Sequence, residues 1–536
     1  MGPMLLGLVI AVSLTLASCD GSNDDGDRKL ALNRSLNGEP ESLDPHKFSS
    51  TQAGDVLRDL GEGLVGYSAD GELIGGAAAS WTVSPDGRTY VFHIRPNARW
   101  SNGDQVTAND FVFAFRRLVT PSTAAPYAEF LSAVENTKAI VRGELSPDQL
   151  GVSAVDASTL VIRLISPTPY FVQLLTHPST YPIHQESIRT NADNFFRPGN
   201  FITNGAYKLD DWIVGSELAL SRNIFYWDND GTKIDTVNHF ILDEATEINR
   251  YRAGELDITG NVISGMFSTM REERPDELHV SAFLAVYYYG FNLGKSPFAG
   301  NPNLRRALSM AIDRNALVKH VTRRGEKPAY GWVPSGIDNY SAQQFDYSNL
   351  ASPEREAESR RLYREAGYGP SNPLRFELRY NTSDVQQRIA LAIQSMWREV
   401  LGVEVLLVNE EFKVLVSNIQ AGEITQVFRL SWTGDYNDAY TFLQLFESEN
   451  PSNLTSYSSS VVDALLGNAA KEVDPNKRRS LLEEAERVAL ADHPVIPIYF
   501  YVSKHLVSDR VVGWKDNVLD FHYTKHLSLL VEGTEQ

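Results

Sequence analysis

Cysteine is almost missing. Cys19 is the only one among 536 residues, so no disulfide can form within the monomer and its domains must hold by packing alone. Basic charge is also short, with 49 Lys and Arg against 68 Asp and Glu and a formal net charge of -19. Such acidity repels polyanions, and no nucleic acid partner is expected. No apolar run is long enough to cross a membrane: Met4 to Ala17 falls short of the ~20 residues a spanning helix needs. Catalytic signatures are missing too. There is no Gly-x-Ser-x-Gly elbow, no His-Glu-x-x-His and no phosphate loop ending in Gly-Lys-Ser or Gly-Lys-Thr. Gly61-Glu62-Gly63-Leu64-Val65-Gly66 matches the dinucleotide fingerprint as a string, but a helical pattern precedes it where a strand is required. The histidines are scattered; His177 and His184 lack a third ligand, and Asp228-Asn229-Asp230-Gly231 reads as a turn. Neither a cofactor nor a metal is expected.

What is present is an ordinary globular composition, 42% hydrophobic and 22% charged, in a chain long enough for two or three domains. The N-terminus stands apart. Its apolar run ends in Leu16-Ala17-Ser18-Cys19, which resembles a bacterial lipoprotein signal cleaved before a lipidated Cys19, although no Lys or Arg precedes the run. Residues 1–18 are therefore expected to be a signal peptide and 19–28, rich in Asp, Gly, Ser and Asn, a flexible tether. The other reading is a buried apolar helix with an incidental cysteine.

Beyond the tether the pattern alternates. Leu30 to Leu36 and Tyr90 to Arg95 read as strands and Gly54 to Leu60 as a short helix. Pro302 opens a helix carrying Leu304, Ala307, Leu308, Ala311 and Ile312; Asp474-Pro475 opens another that runs to Pro494. Val495 to Val502 then reads as a strand with Pro497 at an edge or entry. The alternation predicts α/β domains.

One segment carries chemistry. Arg429-Leu430-Ser431-Trp432-Thr433-Gly434-Asp435-Tyr436-Asn437 sets a guanidinium, an indole and a carboxylate along an extended stretch. A carboxylate can take a free α-amino group, a guanidinium a free carboxylate, and the backbone between them can pair with a peptide as a strand does. The plainer reading is a polar strand end with a surface ion pair.

Ordered motifs decide between these. Ser42-Leu43-Asp44-Pro45-His46, Ala79-Ser80-Trp81, Trp100-Ser101-Asn102-Gly103, Val106-Thr107-Ala108-Asn109-Asp110-Phe111, Asn204-Gly205-Ala206-Tyr207, Tyr380-Asn381-Thr382-Ser383-Asp384 and Ile496-Pro497-Ile498-Tyr499 succeed one another. In this order they resemble the family 5 extracellular solute-binding proteins, and most of all the oligopeptide receptors of ABC importers. The resemblance implies a two-lobed α/β periplasmic-binding-protein type II fold with an extra inserted domain, three domains in all. It places the first lobe's main domain at 29–61, 186–285 and 502–536, the insert at 62–185 and the second lobe at 286–501. It further implies a non-catalytic receptor outside the cytoplasmic membrane; a monomer is expected, and the lipoprotein-like signal would anchor it there through Cys19. Such a receptor delivers short peptides to an ABC permease of two membrane subunits with ATPase subunits.

Residue by residue, the resemblance gives Asp435 the peptide α-ammonium and Arg429 the α-carboxylate of a short peptide. Ser431, Thr433, Ser49 and Thr51 stand at backbone-pairing positions, with Tyr127, Asn381, Tyr288, Tyr501 and Trp432 lining the ligand. Phe412 stands where a tryptophan is usual, Gln386 where a histidine is, and Thr322 where a lysine serves longer peptides, with Arg323 and Arg324 beside it. Ala285 and Thr433 replace a disulfide pair. Peptides of about two to five residues are expected, tripeptides above all. A receptor for cell-wall tripeptides, a peptide sensor and a secreted hydrolase are the alternatives.

Overall fold

The computed structural model describes residues 30–262, 265–424 and 426–530. The signal peptide, the tether and Cys19 lie outside them. Three sheets organise the chain. Ala31–Leu36 pairs in parallel with Thr236–Ile241, and Glu217–Arg222 and Tyr207–Ile213 continue antiparallel to complete four strands. A second four-stranded sheet, wholly antiparallel, runs Ala78–Val83, Thr89–Ile94, Thr159–Arg163, Val152–Ala154. Thr89–Ile94 alternates as expected for one buried face, with Tyr90, Phe92 and Ile94 inward. The helix Ala108–Val119 lays Phe111, Phe115 and Leu118 into the same core, and the Asp110 carboxylate closes its first turn by accepting from the Thr107 N–H at 2.7 Å.

The third sheet is mixed and six-stranded, in the order Lys327–Pro328, Val495–Leu506, Leu278–Phe291, Val427–Thr433, Arg375–Asn381, Glu404–Glu410. Helices cover it. In Asp384–Leu401 the buried Ile389, Ile393, Trp397 and Leu401 recur every fourth residue, and Gly402 at φ 73° ends the helix in the left-handed region. Both proline-opened helices form, as Pro302–Met310 and Pro475–Asp492.

Two long strands, Leu278–Phe291 and Val495–Leu506, tie the bodies together. Leu278 and Leu506 pack with Ile248, Tyr251 and Phe267, while Val286 to Tyr289 and Val495, Ile496, Ile498 and Tyr499 belong to the large core of the six-stranded sheet. Their pairing lapses between Ala282 and Val286. A lapse there leaves the paired backbone free to bend where it passes from one core to the other.

Of the two places expected for Pro497, the entry of the strand holds and the edge does not. Val495–Leu506 is an interior strand, not an edge. Pro497 is tolerated because its neighbour Lys327–Pro328 pairs only with Tyr499 and Phe500, and because a register shift on the other side falls beside it. Gly61 to Gly66 leads from the helix Thr51–Leu60 into the strand Val65–Tyr67, the reverse of the order a dinucleotide loop needs.

Candidate ligand-binding site

The strand Val427–Thr433 emerges from the core. Its first four residues are buried, whereas Ser431 and Thr433 are exposed. Strand alternation puts Arg429, Ser431 and Thr433 on one face and Leu430 and Trp432 on the other. Arg429 is only 6% exposed. Its guanidinium donates to Asn381 Oδ1 at 3.0 Å and to the Tyr501 hydroxyl at 3.2 Å, and it lies 4.6 Å from the centroid of the Tyr287 ring. Tyr287 in turn donates to Gln386 Oε1 at 2.6 Å. Asn381, Tyr501 and Gln386 thus meet around Arg429. Among the described residues no carboxylate pairs with this buried cation, and its Nε has no acceptor. Tyrosines are its main electrostatic company.

Asp435 follows on a braced loop. A Cβ at Gly434 would come within 2.9 Å of the Phe442 ring, so only glycine lets the chain turn this closely. The Asp435 N–H donates to Thr441 Oγ1 at 3.2 Å. Three residues on, Asp438 takes a two-pronged bond from Arg478 at 2.6 and 2.9 Å, and Tyr436 stacks on Tyr170 at 4.9 Å. Asp435 itself is exposed. Burial of its surroundings pushes its carboxyl up to about 6, and the like charge of Glu129 adds to the effect. Among the described residues no cation pairs with the Asp435 carboxylate, and the field of Glu129 adds to the negative potential there, which favours an ammonium group.

Tyr127 feels the charge of Asp435 from a distant part of the chain. Ser49 and Ser50 precede the helix Thr51–Leu60, and both their N–H groups donate to the Glu41 carboxylate. The Tyr127 hydroxyl donates to the Ser49 carbonyl at 3.3 Å, and its ring packs against Phe48 and His177. The Ser49 N–H is therefore engaged already, and Thr51 begins a helix rather than continuing an extended edge.

Some expected residues are not brought in. Tyr288 points away from Arg429's face and packs edge-on against Trp332 at 4.8 Å, leaving Tyr287 and Tyr501 as aromatics of the charged cluster. Trp432 is half-buried on that opposite face, and its indole N–H has no partner among the described residues. Phe412 is 49% exposed at the start of the helix Phe412–Gln420. Thr322 is buried and bonded to Glu326, while Arg323 lines a separate cavity of about 620 Å³ with His320 and Arg388. Ala285 and Thr433 lie directly opposite each other across their two strands. Sequence reasoning missed Tyr287, Glu41 and Glu129. The triple tyrosine run was visible, but only the register tells which ring faces Arg429.

The family model for bacterial extracellular solute-binding proteins, family 5 (Middle), matches residues 72–453. The chain belongs to this family. Its relatives include the periplasmic oligopeptide-binding protein OppA of Escherichia coli K12, 37% identical over 94% of this chain and 93% of the relative. Among solved structures, the unliganded open form of the periplasmic murein tripeptide-binding protein MppA superposes with a TM-score of 0.86 at 36% identity, covering 94% of this chain and 98% of that one. Haemophilus influenzae OppA in complex with RPPGFSPFR gives 0.75 at 36% identity, covering 94% and 99%. This family-5 chain therefore has the two-lobed fold, with its lobes disposed more like the open form than like the peptide complex.

Proposed function

We propose that this family-5 chain is a receptor that captures short peptides in the periplasm by their backbone and charged ends and hands them to an ABC permease. One observation carries the reading. A buried guanidinium without a carboxylate and an exposed carboxylate without a cation stand on the same strand and loop, so the site lacks the two charges a zwitterionic peptide brings. The exposed backbone of Ser431 and Thr433 between them offers strand-like pairing, which selects length and direction and tolerates many side chains. The irregular pairing at Ala282 to Val286 serves as the hinge, and closure is driven by the ligand's better fit to the closed state. Binding, not turnover, is the whole activity. The one hydroxyl beside Asp435 among the described residues, that of Thr441, braces the loop by accepting from the Asp435 N–H, and the carboxylate holds charge rather than moving a proton. We place the mature monomer at the outer face of the cytoplasmic membrane through a lipid on Cys19. Among the described residues no helix is long and apolar enough to cross a membrane.

A murein tripeptide is the second reading, favoured by the superposition on MppA. The experiment that separates the two is mass spectrometry of small molecules released when the purified protein is denatured. A ladder of short peptides of mixed sequence supports the general receptor; a single diaminopimelate-containing species supports the cell-wall ligand; and no peptide at all overturns both.

A further inference from the structure

Away from Arg429 and Asp435, the segment after the second lobe-crossing strand gathers three side chains that can ligate a metal. His505, on Val495–Leu506, and Asp520 and His522 beyond it each bring one ligand atom within 4.8 Å of the others. His505 Nε2 lies 2.9 Å and His522 Nε2 3.1 Å from the same oxygen, Asp520 Oδ1. A tetrahedral ion with bonds of about 2.0–2.1 Å keeps its ligand atoms about 3.3 Å apart; the two imidazole–carboxylate separations are within a few tenths of an ångström of that, while the two imidazole nitrogens, up to 4.8 Å apart, close on each other by up to about 1.5 Å as the ion enters.

The surroundings orient all three. His505 Nδ1 is 2.9 Å from the Thr259 carbonyl, which can only accept; Nδ1 therefore carries the proton, and Nε2 is the nitrogen left to ligate. The Trp514 indole stacks on the His522 ring at 3.6 Å and fixes its plane. Asp520 holds φ 59°, a left-handed conformation few residues adopt, and its carboxylate is thereby set between the two rings. The group borders a cavity of about 350 Å³ lined also by Asn37, Gln52 and Asp55, which leaves room for water to complete a coordination shell. Arg34 is the adverse neighbour. Its guanidinium donates to the His522 carbonyl at 2.9 Å, but Asp55 and Asp59 also feel its charge and counter it.

We infer that His505, His522 and Asp520 form a binding site for a divalent first-row cation of the zinc class, with solvent in the remaining position. Imidazole and carboxylate together suit such an ion, and the open position matches a three-ligand site. The ion ties the second lobe-crossing strand to the C-terminal segment and, through Thr259, to the stretch beside it.

The test uses tag-free protein stripped with EDTA and titrated with Zn2+ by calorimetry and with Co2+ by visible absorption. One equivalent of Zn2+ binds with a sub-micromolar Kd and raises the Tm, the Co2+ form shows ligand-field bands of low-symmetry nitrogen and oxygen coordination, and His505→Gln and His522→Asn each weaken Zn2+ by about a hundredfold. Two results overturn the inference. Wild-type protein shows no saturable Zn2+ binding, in which case the three residues are only a hydrogen-bonded His–Asp–His cluster; or both variants keep wild-type affinity, in which case the ion sits elsewhere. Should either variant fail to fold, the wild-type titrations and Co2+ spectrum still decide.

Discussion

Replacing Arg429 by methionine separates binding from folding. Arg429 is 6% exposed, and its guanidinium is held by two neutral oxygens and a tyrosine ring. Removing it forfeits two hydrogen bonds and a cation–π contact of about 1 kcal/mol, yet it also removes the several kcal/mol cost of keeping an unpaired charge out of water. These oppose one another, so the stability of the peptide-free protein should change by no more than about 1–2 kcal/mol. Binding has no such offset. In the closed site the variant leaves the peptide's carboxylate buried alone, which costs about 3–5 kcal/mol. At about 1.4 kcal/mol per factor of ten, the Kd for a tripeptide should rise roughly 140- to 3,700-fold. Calorimetry with the free-acid tripeptide and its C-terminal amide, on wild-type and variant proteins, completes a double-mutant cycle. The amide should lose as much on wild type as the substitution does, and little further on the variant. Additive losses, or a tripeptide affinity within tenfold of wild type, refute the assignment of Arg429 to the carboxylate.

Further outcomes are expected. Since Asp435 must be ionised to take an ammonium group and burial raises its carboxyl to about 6, tripeptide affinity should be full above pH 6 and fall with acidification by up to tenfold per unit; because Asp435 is exposed, the onset lies between about 4 and 6. Calorimetry across pH 4 to 8 checks this, and Asp435→Asn should bind weakly with a flat profile over that range. Asp438→Asn leaves Arg478 as an uncompensated buried charge under the site loop and should cost about 3–5 kcal/mol in urea unfolding; a loss below about 1 kcal/mol contradicts it. Metabolic labelling with palmitate should mark the wild-type protein and not Cys19→Ser, and equal labelling of both rules out anchoring through Cys19.

Much of the fold was legible because local signals and burial agreed. Pro302 and Pro475 stand at the first turn of their helices, and the alternation from Tyr90 to Ile94 marks a half-buried strand. Arg429 and Asp435 were visible as charges at either end of an extended stretch, with motifs of the family on both sides. Other features have no local signal. Tyr287, Tyr288 and Tyr289 are alike in sequence, and pairing register alone turns Tyr287 toward Arg429 and Tyr288 toward Trp332. Glu129 bears on Asp435 and Glu41 engages the N–H groups of Ser49 and Ser50 only through chain crossings that no spacing rule encodes. His505, Asp520 and His522 read as scattered residues until the C-terminal segment folds back on its strand. Sequence alone settled the chemistry available to this protein, the element types and the family, because these depend on residue identity and near-neighbour periodicity. Tertiary structure decided which charges stay buried without a partner, since burial and pairing depend on contacts between residues far apart in the chain.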